Sequence, residues 1–248
     1  MPPHLPRVAV SLGDPSGVGA EVTALAIAAL RREVVPYVFG DARLFDRELA
    51  EVRLPVVAAG APLPKGGALV AVTRLGAGEV RPGRPAPQAG AAQLAFLEAA
   101  FEAVRRGDAD ALTTAPVSKA QVARALPGFV GHTEWLEARC GVRRSVMMLA
   151  GERLKVALAT NHVAFGRVRR SLTAERIAET IVLTHRAMRR DLGLLRPRIA
   201  LAALNPHAGE EGTFGGEEET LLPAALARAA REGARAAGPF PADSVFFR

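Results

Sequence analysis

IALAALNPHAGEEGTFGGEEE, residues 199–219, is the stretch from which this chain is read. Its apolar start, 199–204, has the length and composition of a buried strand. Pro206 has no N–H to give to a ladder, so the strand ends before it. His207 follows just past the strand's C-terminal end. Gly209, Gly212, Gly215 and Gly216 permit tight turning or close approach to a ligand. Glu217, Glu218 and Glu219 then fall in the first turn of an expected helix, at the positive end of its dipole. The same plan occurs upstream, where LKVALAT, residues 154–160, delivers Asn161 and His162. Ligands of open α/β sheets gather outside the carboxyl ends of strands, so two such histidines point to one shared site.

Working outward, residues 7–12 read as the first strand. The turn Gly13-Asp14-Pro15-Ser16-Gly17-Val18-Gly19 follows, then a helix over 20–31 with Val22, Leu25, Ala29 and Leu30 facing the core. The turn reads equally as a plain tight turn and as an anion cradle at a helix start. It is neither the dinucleotide fingerprint nor a P-loop. Further strands are expected at 34–39, 55–59, 68–73 and 110–114, with helices at 42–50 and 88–106. Lys119, one of three lysines, follows the strand at 110–114 and reads as a solvated helix-start lysine or as a site residue. His132 precedes a helix over 134–140 that Thr133 caps. Cys140 reads as a small core residue. Residues 145–150 and 154–160 form a hairpin around Gly151-Glu152. Thr173 caps a helix running to Leu192, with His185 packed on its apolar face, and a last helix spans 217–231. His4 needs no role. Strands alternating with helices give an α/β fold with a largely parallel sheet, and the hairpin implies a mixed sheet and a second subdomain. The expected domains are 1–125 and 126–248.

The 248 residues are 49% hydrophobic, which supports a sizeable core, and the single cysteine excludes an internal disulfide. Net charge is +7, mostly from scattered arginine pairs with no aromatic interleaving, so no nucleic-acid partner is expected. Neither a secretory pattern nor a membrane-length apolar run is seen, so the expectation is a soluble, cytoplasmic protein without a membrane partner. Two neutral imidazoles at strand ends suit a divalent ion. A third ligand is required, from Asp243, Asp14 or Glu210. A hydrolase built on the two histidines lacks a nucleophile or an HExxH motif.

The blocks GDPSGVGAE, TTAPVSKA, GHTEWLE, VMMLAGERLKVALATNH, LNPHAGEEGTFGGEE and GPFPADSVF occur in this order across essentially the whole chain. Together they resemble the 4-hydroxythreonine-4-phosphate dehydrogenase family of pyridoxal phosphate biosynthesis. The resemblance implies two α/β/α domains similar to those of isocitrate and isopropylmalate dehydrogenases. It also implies a homodimer whose protomers share an active site in the interdomain cleft. The implied reaction is oxidation of 4-phosphooxy-L-threonine at C3 by NAD, then loss of carbon dioxide to give 3-amino-2-oxopropyl phosphate. A divalent metal (zinc, magnesium, cobalt or manganese) polarises the reacting oxygen. By resemblance His162 and His207 ligate the metal, while His132 and Thr133 contact the small phosphorylated substrate. Lys119 and Asp243 lie in family blocks and are the expected catalytic residues. Gly13, Asp14, Gly17 and Gly19 form the expected cofactor-binding loop. The family continues past the block that holds Asp243, with another metal-ligand histidine and with strands of the first domain. A chain short of that part, with an incomplete first domain, is therefore expected. A sister dehydrogenase for another four-carbon phosphorylated hydroxy acid and a non-catalytic, dimer-forming remnant are the rival readings.

Overall fold

The structure, a computed structural model, describes residues 5–45, 52–76, 80–84 and 86–247. Contacts divide the chain into two compact units, Met1–Trp135 and Leu136–Arg248. His4 and most of the helix expected at 42–50 lie outside the described residues.

The first unit is built on one parallel sheet. Its strands are β1 (Arg7–Ser11), β2 (Val35–Asp41), β3 (Val56–Ala58), β4 (Ala68–Thr73) and β5 (Ala111–Thr114), in the order β3-β4-β2-β1-β5. Central strands of such a sheet are covered on both faces, and β2 shows it residue by residue. Tyr37 and Phe39 enter one core cluster with Ala9, Val70 and Ala100, whereas Val38 enters the other with Leu12, Leu69 and Phe96. Pro36 is tolerated inside β2 because pairing with β4 starts only at Tyr37↔Ala68. The helices are α1 (Gly19–Leu30), α2 (Pro87–Arg105), α3 (Lys119–Ala125) and α4 (His132–Cys140).

Three expectations are corrected here. On α1 the inward residues are Thr23, Ala24 and Ile27, whereas Val22, Leu25 and Leu30 are exposed. Gly19 fixes that rotation, since a methyl group there would stand 2.0 Å from the Leu12 carbonyl oxygen. The helix expected at 134–140 begins at His132, with Trp135 N donating to Gly131 O, so Thr133 lies in its first turn rather than at its cap. Cys140 is exposed at the end of that helix.

The second unit has less sheet than the sequence implies. β6 (Met148–Ala150) and β7 (Lys155–Ala157) form an antiparallel pair, and β8 (Ala200–Ala202) and β9 (Ala237–Phe240) form a separate parallel pair. No mixed sheet joins them among the described residues. A short helix α5 (Val168–Ser171) precedes α6 (Ala174–Arg190), and α7 (Glu217–Arg231) follows the opening stretch. The core of this unit is helical. Ile177, Ala178, Ile181 and Val182 of α6 meet Leu222, Ala225 and Ala229 of α7. Thr173 caps α6 as expected, its hydroxyl accepting from Arg176 N at 3.1 Å. No helix among the described residues is long and apolar enough to cross a membrane.

Candidate functional site

Each unit carries its own group of the residues singled out above. In the first, the ends of β1 and β5 are laced together. Ala115 N donates to Ser11 O, and Asp14 N donates to Pro116 O, both at 2.9 Å. Gly13 has φ 75°, and a methyl group there would lie 2.3 Å from Pro116 O. The need for glycine at 13 and at 19 thus comes from close approach of the protein's own backbone.

Asp14 is also committed locally. One carboxylate oxygen accepts from Ser16 N at 2.9 Å and the other from Gln121 Nε2 at 3.3 Å. Gln93 accepts from Ser118 N at 2.8 Å, ahead of Lys119 at the start of α3. Lys119 Nζ and Glu134 Oε2 flank Gly131, at 3.4 and 3.2 Å from the position a methyl group would take. His132 follows, edge-on to Phe129 with ring centroids 6.3 Å apart. Burial, and then the charge of Lys119, hold the His132 ring below its ordinary pKa and favour the neutral form. Its Nε2 is buried without a hydrogen-bond partner among the described residues, as are Gln93 Nε2, Gln121 Oε1 and the hydroxyls of Ser11 and Ser16. Buried polar atoms are nearly always paired, so each of these is a place where water or a ligand could complete the hydrogen bonding. The structure therefore brings Lys119 and His132 together, with Thr133 on the next helical position.

The second unit presents the histidines. His162 and His207 are exposed, and both have left-handed backbone, with φ of 53° and 52°. That conformation is uncommon for residues other than glycine. His207 stands in a tight turn, Pro206–Gly209, in which it and Ala208 leave right-handed helical backbone. Its Nδ1 is 3.1 Å from Asp243 Oδ2. A carboxylate that takes the N–H of one ring nitrogen leaves the lone pair of the other, here Nε2, free for a metal, the usual setting of a metal-ligating histidine. Of the three candidate third ligands, Asp243 is engaged with His207, Asp14 with Ser16 and Gln121, and Glu210 is exposed on left-handed backbone. No group of three His, Cys, Asp or Glu side chains able to hold a metal is found among the described residues. His207 fits a metal, but a closed ligand set is not present.

Glu218 was missed in the sequence, where it reads as one of three first-turn carboxylates. The structure turns it inward, 6% exposed. Its Oε1 accepts from Leu204 N at 3.0 Å and Asn205 N at 2.7 Å, and its Oε2 accepts from Asn205 Nδ2 at 3.0 Å. Burial alone would raise its pKa, but the hydrogen bonds from Asn205, from its own backbone N–H and from Leu204 together outweigh it and keep the carboxyl below its ordinary range. Glu217 instead pairs with Arg169, and Glu219 is exposed.

Residues 32–248 match the family model described as pyridoxal phosphate biosynthetic protein PdxA. The 4-hydroxythreonine-4-phosphate dehydrogenase of Burkholderia vietnamiensis is 41% identical over 248 residues, covering 97% of this chain and 74% of that relative. Among solved structures, a 4-hydroxythreonine-4-phosphate dehydrogenase from Burkholderia phymatum superposes with a TM-score of 0.83 at 30% identity, over 99% of this chain and 77% of that one. A terephthalate 1,2-cis-dihydrodiol dehydrogenase from Burkholderia xenovorans is more distant, with a TM-score of 0.68 at 27% identity, over 98% and 76%.

Proposed function

This chain belongs to the PdxA family of pyridoxal phosphate biosynthetic proteins, and from that premise we propose that it oxidises 4-phosphooxy-L-threonine in an NAD- and divalent-metal-dependent reaction. The product, 2-amino-3-oxo-4-phosphooxybutanoate, loses carbon dioxide to give 3-amino-2-oxopropyl phosphate. The observation that carries this reading is the exposed His207, held on left-handed backbone with Asp243 at its Nδ1.

In this reading His162 and His207 hold the metal, and Asp243 orients His207 through Nδ1. When bound, the metal supplies a Lewis acid for the oxygen that becomes a carbonyl. In the first unit, Lys119 brings positive charge beside His132, whose neutral ring and unpaired Nε2 are available to a polar substrate group. Thr133 adds a hydroxyl in the first turn of α4. The family resemblance supports a homodimer and an isocitrate dehydrogenase-like pair of domains. The exposed Leu149 and Leu154 of the β6–β7 hairpin suit a subunit contact. A second reading, a sister dehydrogenase acting on a different hydroxy substrate, is favoured by the likeness to the dihydrodiol dehydrogenase.

The test is NADH formation from 4-phosphooxy-L-threonine, with and without a chelator, in the wild type and in His207→Ala and His162→Ala. Chelator-sensitive NADH that both substitutions abolish is expected. Folded protein that forms none from this substrate refutes the assignment, and activity on a different hydroxy acid moves it to the second reading.

A further inference from the structure

Residues 207–212 form an unusual run. His207, Ala208, Gly209, Glu210, Glu211 and Gly212 have φ of 52°, 59°, 83°, 43°, 53° and 90°. Four of the six carry a Cβ, and left-handed backbone costs such residues about 1–2 kcal/mol each. Strain of this kind persists only where the surroundings impose it. Within the run itself, Phe214 N and Gly212 N donate to Gly209 O, which closes the turn but does not attach it to the unit.

Besides the contact of Asp243 with the His207 ring, Glu218 attaches the backbone that leads into the run. Its three donors come from Leu204 and Asn205, the residues immediately before Pro206 and His207. On the far side of His207, Gly209 comes so close that a methyl group there would lie 2.9 Å from Glu218 Oε2. One buried carboxylate therefore bonds the loop just before the candidate ligand and packs against Gly209 just after it. It projects from α7, which Leu222, Ala225 and Ala229 anchor in the core, so the grip is on a rigid element.

We propose that Glu218 is a positioning residue, which holds residues 204–209 so that His207 keeps its left-handed backbone and presents its ring to a divalent metal. This rests on the reading of His207 as a metal ligand. The rival role for Glu218 is a negative charge at a helix start, as its neighbours in sequence would have.

Glu218→Asp and Glu218→Gln separate the two roles. Aspartate keeps the charge in the first turn but is one methylene short of Leu204 and Asn205. Glutamine loses the charge but keeps an oxygen for both backbone amides. Zinc affinity of the full chain is measured by titration, and the His207 ring signals and the exchange of the Leu204 and Asn205 amides by NMR. Glu218→Asp is expected to weaken zinc binding about 10–100-fold, the usual cost of losing a partner that orients a ligand. It should also shift the His207 signals and speed exchange of both amides, while Glu218→Gln keeps most of the affinity. In a His207→Ala background Glu218→Asp should cost nothing more. If Glu218→Asp leaves affinity and His207 signals unchanged while His207→Ala lowers affinity, the positioning role is wrong and the ligand reading stands. If the wild type binds no zinc, or His207→Ala binds it as tightly, the ligand reading fails. The ring signals and amide exchange then decide alone, unchanged values in Glu218→Asp refuting the grip on the loop.

Discussion

The two loops that end strands in this protein are held by opposite means. In the first unit, Gly13 and Gly19 lie so close to the Pro116 and Leu12 carbonyls that no side chain fits, and the backbone fixes the loop. In the second, His207, Ala208, Glu210 and Glu211 accept left-handed backbone without being glycine, and a buried carboxylate, Glu218, ties down the two residues that lead into the segment. The contrast teaches that glycine in a loop is not by itself a mark of a ligand. The first loop spends its glycines on packing. The second spends strain on side chains that carry chemistry.

Substitutions that exchange the two designs test this. The largest effect is expected from Gly13→Ala, which combines positive φ with a clash against Pro116 O. Urea unfolding should show a loss of about 3 kcal/mol, and a loss within error would mean the loop relaxes freely. Ala208→Gly should act in the opposite direction. It relieves left-handed strain at φ 59° and should raise stability by about 1 kcal/mol, less whatever the freer unfolded chain takes back. A destabilised Ala208→Gly variant would deny the strain on which the comparison rests. Thr173→Ala removes the α6 cap away from both loops and should cost about 1 kcal/mol with zinc affinity unchanged.

The smallest effect concerns pH. The folded-state pKa of His132 lies below its ordinary value of 6.5, chiefly through burial and then through Lys119. The unfolded chain therefore takes up the proton first as pH falls. The stability from the neutral buried ring is complete above 6.5 and is lost as pH drops through the folded pKa. His132→Gln should flatten that acid dependence. Lys119→Ala should move the His132 titration upward, though not fully to 6.5, because burial remains the larger cause. An unmoved titration would show that Lys119 does not act on the ring.

Much of this was legible in the sequence, for physical reasons that differ by element. Residues 68–73 and 217–231 were readable to the residue, one a buried apolar run and the other an acidic start with an apolar stripe. Hydrophobic spacing misjudged α1, whose inward face is set by the approach of Gly19 to Leu12 rather than by its largest side chains. The strand expected at 199–204 shrinks to Ala200–Ala202, with Ile199 and Ala203 still bonded to the backbone of Ala237 and Phe240. His162 and His207 stand out as histidines after apolar runs, but nothing in their identity announces left-handed backbone. Glu218 was hidden because its partners lie 13 and 14 residues away and its neighbours are also glutamates. A long-range grip of that kind leaves no local periodicity.

The most direct test of the metal-holding role of His207 is cobalt(II) titration of the full chain, followed by its visible absorption spectrum. The wild type is expected to give a saturable spectrum with histidine ligation, and His207→Ala should lose it. Identical spectra and affinities in the two proteins would contradict the assignment of His207 and, with it, the reason given for its strained backbone.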